Sequence, residues 1–213
     1  MLFQDIKNKD KIYLYCGDLP HQRIEYTKLN FIGLSLSQSN YNHIKHDITN
    51  KFDLFDNSVD IIQSEDVMEH IEYDKLINII NEIYRVLKKG GLFRLSLPDY
   101  RCDILYNRSL KYTNGDIYFD AGGGGNYDYN NNKVVNRGHL WFPKYEEVKT
   151  LLNKTFFNEN GKIDFLHYYD ENTEAYMNQI DYNLGFISRT PDFDKRVQYP
   201  KRPLSLVVDC WKL

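Results

Sequence analysis

Residues 58–99 read SVDIIQSEDVMEHIEYDKLINIINEIYRVLKKGGLFRLSLPD. VDIIQS (59–64) is a mostly apolar run, the pattern of a strand buried on both faces of a parallel sheet. In YDKLINIINEIYRVLKKGG, Leu76, Ile79, Ile80, Ile83 and Leu87 recur at helical spacing and form one apolar face. Asp74 stands at the start of this helix, and Lys88, Lys89 and Gly90 form its expected C-terminal cap. LFRLSLP (92–98) follows as a second buried strand. Strand, helix and strand in this order predict a parallel pair joined by a right-handed crossover.

Upstream, KIYLYC (11–16) is a short apolar strand closed by Gly17-Asp18. NFIGLSL (30–36) and HIKHD (43–47) are two more strand candidates. Downstream, PKYEEVKTLLNKTF (143–156) is an amphipathic helix led by proline. KIDFLHYY (162–169) and LSLVVDCW (204–211) are further strands. The fold class is therefore α/β, a Rossmann-like doubly wound and mostly parallel sheet. Residues 1–213 are expected to form a single domain with two irregular insertions, 101–143 and 171–203.

The chain has 213 residues, 42% hydrophobic and 27% charged, the composition of a folded globular protein. Its net charge of −3, with no block of like charges, argues against nucleic acid as a partner. No run is long and apolar enough to span a membrane, and MLFQDIKNKDKIYLYC has no signal-peptide pattern. Cys16, Cys102 and Cys210 are odd in number and widely spaced, which points to a reducing, cytoplasmic setting. Histidines and carboxylates fall at no metal-ligand spacing, so no metal is expected. The oligomeric state is not legible.

In an open α/β sheet, ligands bind beyond the carboxyl ends of the strands. Those ends carry Cys16-Gly17-Asp18, Leu34-Ser35, Asp47, Ser64-Glu65-Asp66 and Pro98-Asp99-Tyr100. Acids dominate this edge, which suits a ligand rich in hydroxyl and amino groups and suits a polyphosphate poorly. CGD, FDLFDNSVDIIQSEDVMEHI and EIYRVLKKGGLFRLSLPD resemble class I S-adenosylmethionine-dependent methyltransferases. They look most like a bacterial branch associated with surface-polysaccharide and small-molecule methylation. The resemblance covers residues 11–100 and extends loosely through GHLWFP (138–143).

It implies S-adenosylmethionine as cofactor and an antiparallel C-terminal strand. It also implies that Cys16, Gly17 and Asp18 lie at the methionine part, with Gly17 letting the backbone approach. Asp47 would lie near the adenine, and Ser64, Glu65 and Asp66 would line the strand-four side. His70 falls at the family's Glu-His pair and helps set the helix start. Two features depart from the family. Only Gly17 remains of the glycine-rich loop, and the ribose-gripping acid after strand two is replaced by Leu34, Ser35 and Ser37. The segment DLPHQRIEYTKLN is also short for the usual first helix.

DAGGGG (120–125) lacks the Gly-Lys-Ser/Thr ending of a phosphate loop and is expected to be a flexible substrate-side loop. His139 in RGHLWF is the leading general base, with Asp99 second. Tyr100, Arg101, Arg137, Trp141, Arg189 and Arg202 are expected to bind substrate. Arginines there hint at an anionic acceptor. His46 is placed near the adenine edge or in solvent, and His21, His43 and His167 are assigned to structure. The expected activity is O-methylation of a sugar, a nucleotide-linked sugar or another small polar acceptor. The alternatives are methylation of a phosphate or phosphoramidate-type oxygen, and a degenerate, non-catalytic binding protein. A nicotinamide-dependent oxidoreductase is disfavoured, because the G-x-G-x-x-G turn is missing.

Overall fold

Eight strands form one continuous sheet. A computed structural model describes residues 1–20 and 23–213. In chain order the strands are β1 (Tyr13–Cys16), β2 (Ile32–Ser35), β3 (His43–Lys45), β4 (Val59–Glu65) and β5 (Leu87–Pro98), with helix α1 (Leu76–Val86) between the last two. Helix α2 (Asp103–Arg108) then leads into two small hairpins. These are β6 (Leu110–Lys111) with β7 (Ile117–Phe119), and β8 (Asn126–Asp128) with β9 (Lys133–Val135). Helices α3 (Tyr145–Leu152) and α4 (Phe156–Asn160) precede β10 (Gly161–Tyr169), β11 (Ala175–Met177) and β12 (Ser205–Lys212). The sheet order is β11-β10-β12-β5-β4-β1-β2-β3. Strands β1 to β5 pair in parallel. β12 inserts antiparallel between β5 and β10, and β11 adds an antiparallel edge.

Alternation along each strand sorts the side chains onto two faces. Leu14, Cys16, Ile62, Phe93, Leu95, Val208 and Cys210 point into the main core. There they meet Ile79, Ile80 and Ile83 of α1, Val148 and Leu152 of α3, and Phe157 of α4. The helical face read from the sequence is therefore the buried one.

Among the described residues, the opposite face carries no α-helix. Residues 24–27 form only a 3-10 turn, and β2, β3 and β4 are joined by loops. That face is covered by chain segments. Tyr15, Ile61 and Leu92 pack against Tyr26, Phe31 and Phe186. The segment after β11 crosses polar residues of the sheet. Gln63 donates to the Phe186 carbonyl, and Arg94 donates to the Asp181 and Gly185 carbonyls at 2.8 and 2.7 Å. Part of the 171–203 stretch is thus a strap over the sheet.

Three expectations are corrected. Helix α1 ends at Val86, and Leu87 is already extended, so Lys88, Lys89 and Gly90 open β5 instead of capping the helix. Gly90 has φ +75, a turn-like kink within that strand. The stretch 101–143 holds a short helix and two hairpins in place of a featureless loop. The expected helix over 143–156 divides into α3 and α4, with Thr155 between them.

Candidate functional site

A cleft of about 530 Å³ opens beyond the carboxyl ends of β1 to β4. Gly17 follows β1 and has φ +102, which places its bare backbone on the cleft wall. A Cβ there would press on Val67 at 3.3 Å. Leu34, Leu36, Ile48, Val67 and Ile71 give an apolar lining. Asp47, Thr49, Asp66, His70 and Arg137 give polar edges. The Asp47 carboxylate is exposed and accepts from the Thr49 amide at 2.9 Å and hydroxyl at 2.8 Å. His46 also lines the cleft, and its ring meets Phe3 and Phe52 edge-on. An apolar slot with exposed backbone at one end and carboxylates along it fits an adenosyl amino acid.

Four of the residues expected to contact the cofactor line this cleft: Gly17, Asp47, Asp66 and His70. The others lie elsewhere. Cys16 is fully buried in the main core, where burial pushes its thiol up to about 12. Asp18 is exposed outside the lining. Ser35 is buried, and its hydroxyl accepts from the Ser37 and Gln38 amides at 3.1 and 2.8 Å, which fixes the turn after β2. Ser64 is buried. Glu65 is also buried and is occupied by the strap. It accepts from the Tyr26 hydroxyl, from the Ser188 amide and hydroxyl at 2.8 Å, and from the Arg189 amide at 3.3 Å. Burial raises the Glu65 carboxyl above its ordinary value. Of the residues after strand two where a ribose-gripping acid was sought, Leu34 lines the cleft, as does Leu36 just past the end of β2.

Beside the cleft lies a buried polar cluster. Glu69 and His139 are buried and His70 is half-buried. His139 Nε2 is 3.6 Å from Glu69 Oε1, and His70 Nε2 is 3.9 Å from the same oxygen. The two rings meet edge to face at 4.6 Å. Among the described residues, none donates a hydrogen bond to either Glu69 oxygen. On its other side His139 Nδ1 bonds the Tyr100 hydroxyl, which lies 2.7 Å from Asp120 Oδ2. Arg108 in turn pairs with Asp120 at 2.6 Å. Burial pushes the His139 imidazole down to about 3 and raises the Glu69 carboxyl well above its usual range.

The glycine run completes this cluster. Gly122 and Gly123 sit in a 3-10 turn capped by Asp120, whose side chain accepts from the Gly122 amide. A Cβ on Gly123 would lie 2.6 Å from the His139 ring, and one on Gly122 would meet Arg108. The glycines therefore let the backbone close over the His139 and Arg108 side chains, a packing role and not a phosphate cradle. Nearby, Tyr112, Tyr118, Tyr127 and Tyr129 pack in a row, tilted or edge to face, with ring centres 4.8–5.0 Å apart. Tyr112, Tyr118 and Tyr127 wall a cavity of about 490 Å³ that reaches Glu72 at the rim of the cleft.

Several expected catalytic and substrate residues take other roles. His139 does not line the cleft, and its Nε2 faces Glu69. Asp99 is fully buried and binds the Arg101 and Tyr169 amides at 3.0 Å, so it fastens the turn after β5. Tyr100 is fully buried in the relay just described. Trp141 is largely buried, donates to the Met68 carbonyl at 3.0 Å and packs edge-on against Tyr73. Arg101 pairs with Glu146, Arg189 with Asp66, Arg196 with Asp194 and Arg202 with Asp103. These arginines are therefore spent within the protein. Among the described residues, only Arg137 of those expected at the substrate lines the cleft without a carboxylate partner. His43 is buried and accepts from the Leu19 amide, and His167 is buried, in keeping with structural roles; His21 lies outside the described residues.

Glu69, Asp120 and Arg108 were not singled out from the sequence. Glu69 stands next to His70 in the Glu-His pair, the one local signal available. Asp120 and Arg108 gave none.

Residues 6–95 match the methyltransferase-domain family model, a stretch that runs from before β1 into β5. Three solved structures share the fold. One is an S-adenosylmethionine-dependent methyltransferase of Thermotoga maritima, described as a possible histamine N-methyltransferase. It has a TM-score of 0.51 and 15% identity, with 99% of this chain and 86% of that chain covered. A protein of Pyrococcus horikoshii OT3 gives 0.52 and 14%, with 99% and 86% covered. The Burkholderia thailandensis 1,6-didemethyltoxoflavin-N1-methyltransferase, solved with its substrate and S-adenosylhomocysteine, gives 0.51 and 9%, with 95% and 71% covered. No curated protein matches the sequence. The matched family model and the shared fold support a methyltransferase that takes S-adenosylmethionine as its methyl donor. No helix among the described residues is long and apolar enough to cross a membrane.

Proposed function

We propose that the protein methylates an oxygen of a small polar acceptor, a sugar or nucleotide-linked sugar of the kind used to build surface polysaccharides. The observation that carries this reading is the tyrosine-walled cavity adjoining the cleft at Glu72. Flat aromatic faces suit sugar rings, which present apolar C–H surfaces between their hydroxyls. Bound S-adenosylmethionine supplies a methyl group activated on a sulfonium. Gly17, Asp47, Thr49, Asp66 and His70 would hold it. Transfer needs the acceptor oxygen oriented in line and its proton removed. The Glu69–His70–His139 cluster meets the cleft through His70 and is the polar centre best placed for that task. His139 thereby acts through the cluster and not as an isolated base. With Arg101, Arg189 and Arg202 paired internally, the cationic side chains lining the cleft and the tyrosine-walled cavity are Lys75, Arg137 and Lys133.

The test is calorimetric titration with S-adenosylmethionine, S-adenosylhomocysteine and NAD, followed by methyl-transfer assays on free and nucleotide-linked sugars and sugar phosphates. Micromolar binding of the first two, none of NAD, and turnover on a sugar hydroxyl are expected. No binding of any would favour a non-catalytic binding protein. Turnover only on a phosphate oxygen would replace the acceptor class.

A further inference from the structure

The Glu69 cluster is short of hydrogen-bond donors, atom by atom; the Arg189 guanidinium acts on Glu69 and His139 only through space and is paired with Asp66. His70 Nδ1 lies 3.0 and 3.2 Å from the carbonyl oxygens of Arg137 and Gly138. Carbonyls only accept, so Nδ1 carries the proton, and in the neutral ring Nε2 is left with a lone pair. Tyr100 has one hydroxyl proton, and the carboxylate of Asp120, already paired with Arg108, is its strongest acceptor. His139 Nδ1–H then donates to the Tyr100 oxygen, and its Nε2 also presents a lone pair. Both lone pairs face Glu69 Oε1, whose carboxylate is fully buried and, among the described residues, receives no hydrogen bond. Three acceptor atoms thus converge with no donor among them. At 3.6 and 3.9 Å they are too far apart to share a proton in a hydrogen bond.

Those separations are close to what a small cation needs. Ligands about 2.0–2.1 Å from a tetrahedral ion stand about 3.4 Å from one another. The two nitrogens stand 3.6 and 3.9 Å from the oxygen and all three ligand atoms lie within 4.8 Å of one another, so side-chain shifts of up to about 1 Å would close the site. The outer contacts have the form of metal-site supports. Each histidine is fixed at Nδ1, one by backbone carbonyls and the other by the Tyr100–Asp120–Arg108 chain.

We propose that Glu69, His70 and His139 bind one divalent first-row transition ion, zinc or manganese. Two imidazoles and one carboxylate favour such an ion over magnesium or calcium, which prefer all-oxygen shells. His70 is shared between this site and the cleft, so an open coordination position lies toward the place where the acceptor would bind. There the ion would hold an acceptor hydroxyl and lower its pKa. That use rests on the methyl-transfer reading, whereas ion binding does not.

The test uses tag-free, chelator-stripped protein without methyl donor. Loss of the free Mn²⁺ signal in electron paramagnetic resonance counts bound manganese, and calorimetry follows Zn²⁺, with Mg²⁺ as comparator. One Mn²⁺ or Zn²⁺ per chain is expected, bound at least about tenfold tighter than Mg²⁺. Pulsed resonance should show imidazole nitrogen coupled to the manganese. E69Q and H70Q should each weaken binding at least about tenfold with an unchanged circular dichroism spectrum, and Y100F should do so by about tenfold through His139 alone. His70 is partly exposed, so H70Q carries the test if E69Q does not fold. No stoichiometric ion, affinity unchanged in H70Q, or manganese without nitrogen coupling would overturn the proposal. A protein that binds the ion but transfers no methyl group would leave this inference standing and remove the catalytic one.

Discussion

Arg94 and Asp209 face each other across β5 and β12 and form a two-armed ion pair, with Nε–Oδ1 and NH2–Oδ2 both at 2.7 Å. The pair is buried on the sheet face that lacks helices. The remaining Arg94 nitrogen holds two carbonyls of the strap, so one side chain joins the sheet to the segment covering it. Removing one member of a buried pair leaves a charge without compensation, at a cost of about 3–5 kcal/mol. Arg94→Met should therefore cost that much in urea unfolding. Arg94→Met with Asp209→Leu should recover a large part of it. Equal losses in single and double variants would mean that the strap contacts dominate over the pair.

Gly17 makes the backbone bend at the end of β1 and has φ +102. Gly17→Val puts a branched side chain in a strained region and presses it on Val67. Loss of S-adenosylhomocysteine affinity by at least about a hundredfold, near 3 kcal/mol, is expected, with far-ultraviolet circular dichroism unchanged. Retained affinity in calorimetry would move the cofactor away from β1.

Asp99 gives a pH signature. Burial holds its carboxyl up at about 6, against an ordinary 3.8. Between these values the folded chain keeps a proton that the unfolded chain releases. The resulting stability is complete below about pH 4 and is lost as pH rises through about 6. Asp99→Asn removes the titration. Across pH 4 to 7, wild type should lose about 3 kcal/mol relative to Asp99→Asn, from roughly two pH units at about 1.4 kcal/mol each. Urea unfolding at a series of pH values reads this difference directly, and a flat difference would mean that Asp99 is ionised in the folded protein.

Tyr118 sits in the tyrosine row, its ring tilted against Tyr112 and Tyr127 with centres 4.8 Å apart, and walls the cavity beside the cleft. Tyr118→Ala should raise KM for the acceptor by about tenfold, since one aromatic contact is worth about 0.5–1.5 kcal/mol beyond burial. Cofactor affinity should stay within about twofold of wild type. Equal losses of acceptor and cofactor binding would argue that the hairpins support the cleft and do not wall the acceptor.

The βαβ unit over 59–98 was legible because its signals are local. Helical spacing from Leu76 to Ile83 and the apolar runs on either side set the element types without help from the rest of the chain. The strand ends then indicated where a ligand would sit, and Gly17, Asp47, Asp66 and His70 line that cleft. The end of α1 was misjudged because KKGG fits both a helix cap and a kinked strand start. Pairing of Val59 with Leu87 decides for the strand.

Everything that depends on distant pairs was left to the tertiary structure. Arg202 faces Asp103, Arg101 faces Glu146 and Arg189 faces Asp66, so residues chosen as anion binders proved to be neutralised. Glu69 meets His139, and the glycine run closes over that histidine, only because α2 and the two hairpins fold back beside β4. Strand and helix periodicities come from backbone geometry and are written in neighbouring residues. Ion pairs, buried carboxylates and cavity walls depend on which distant side chains share a space, and that is fixed only when the core is packed.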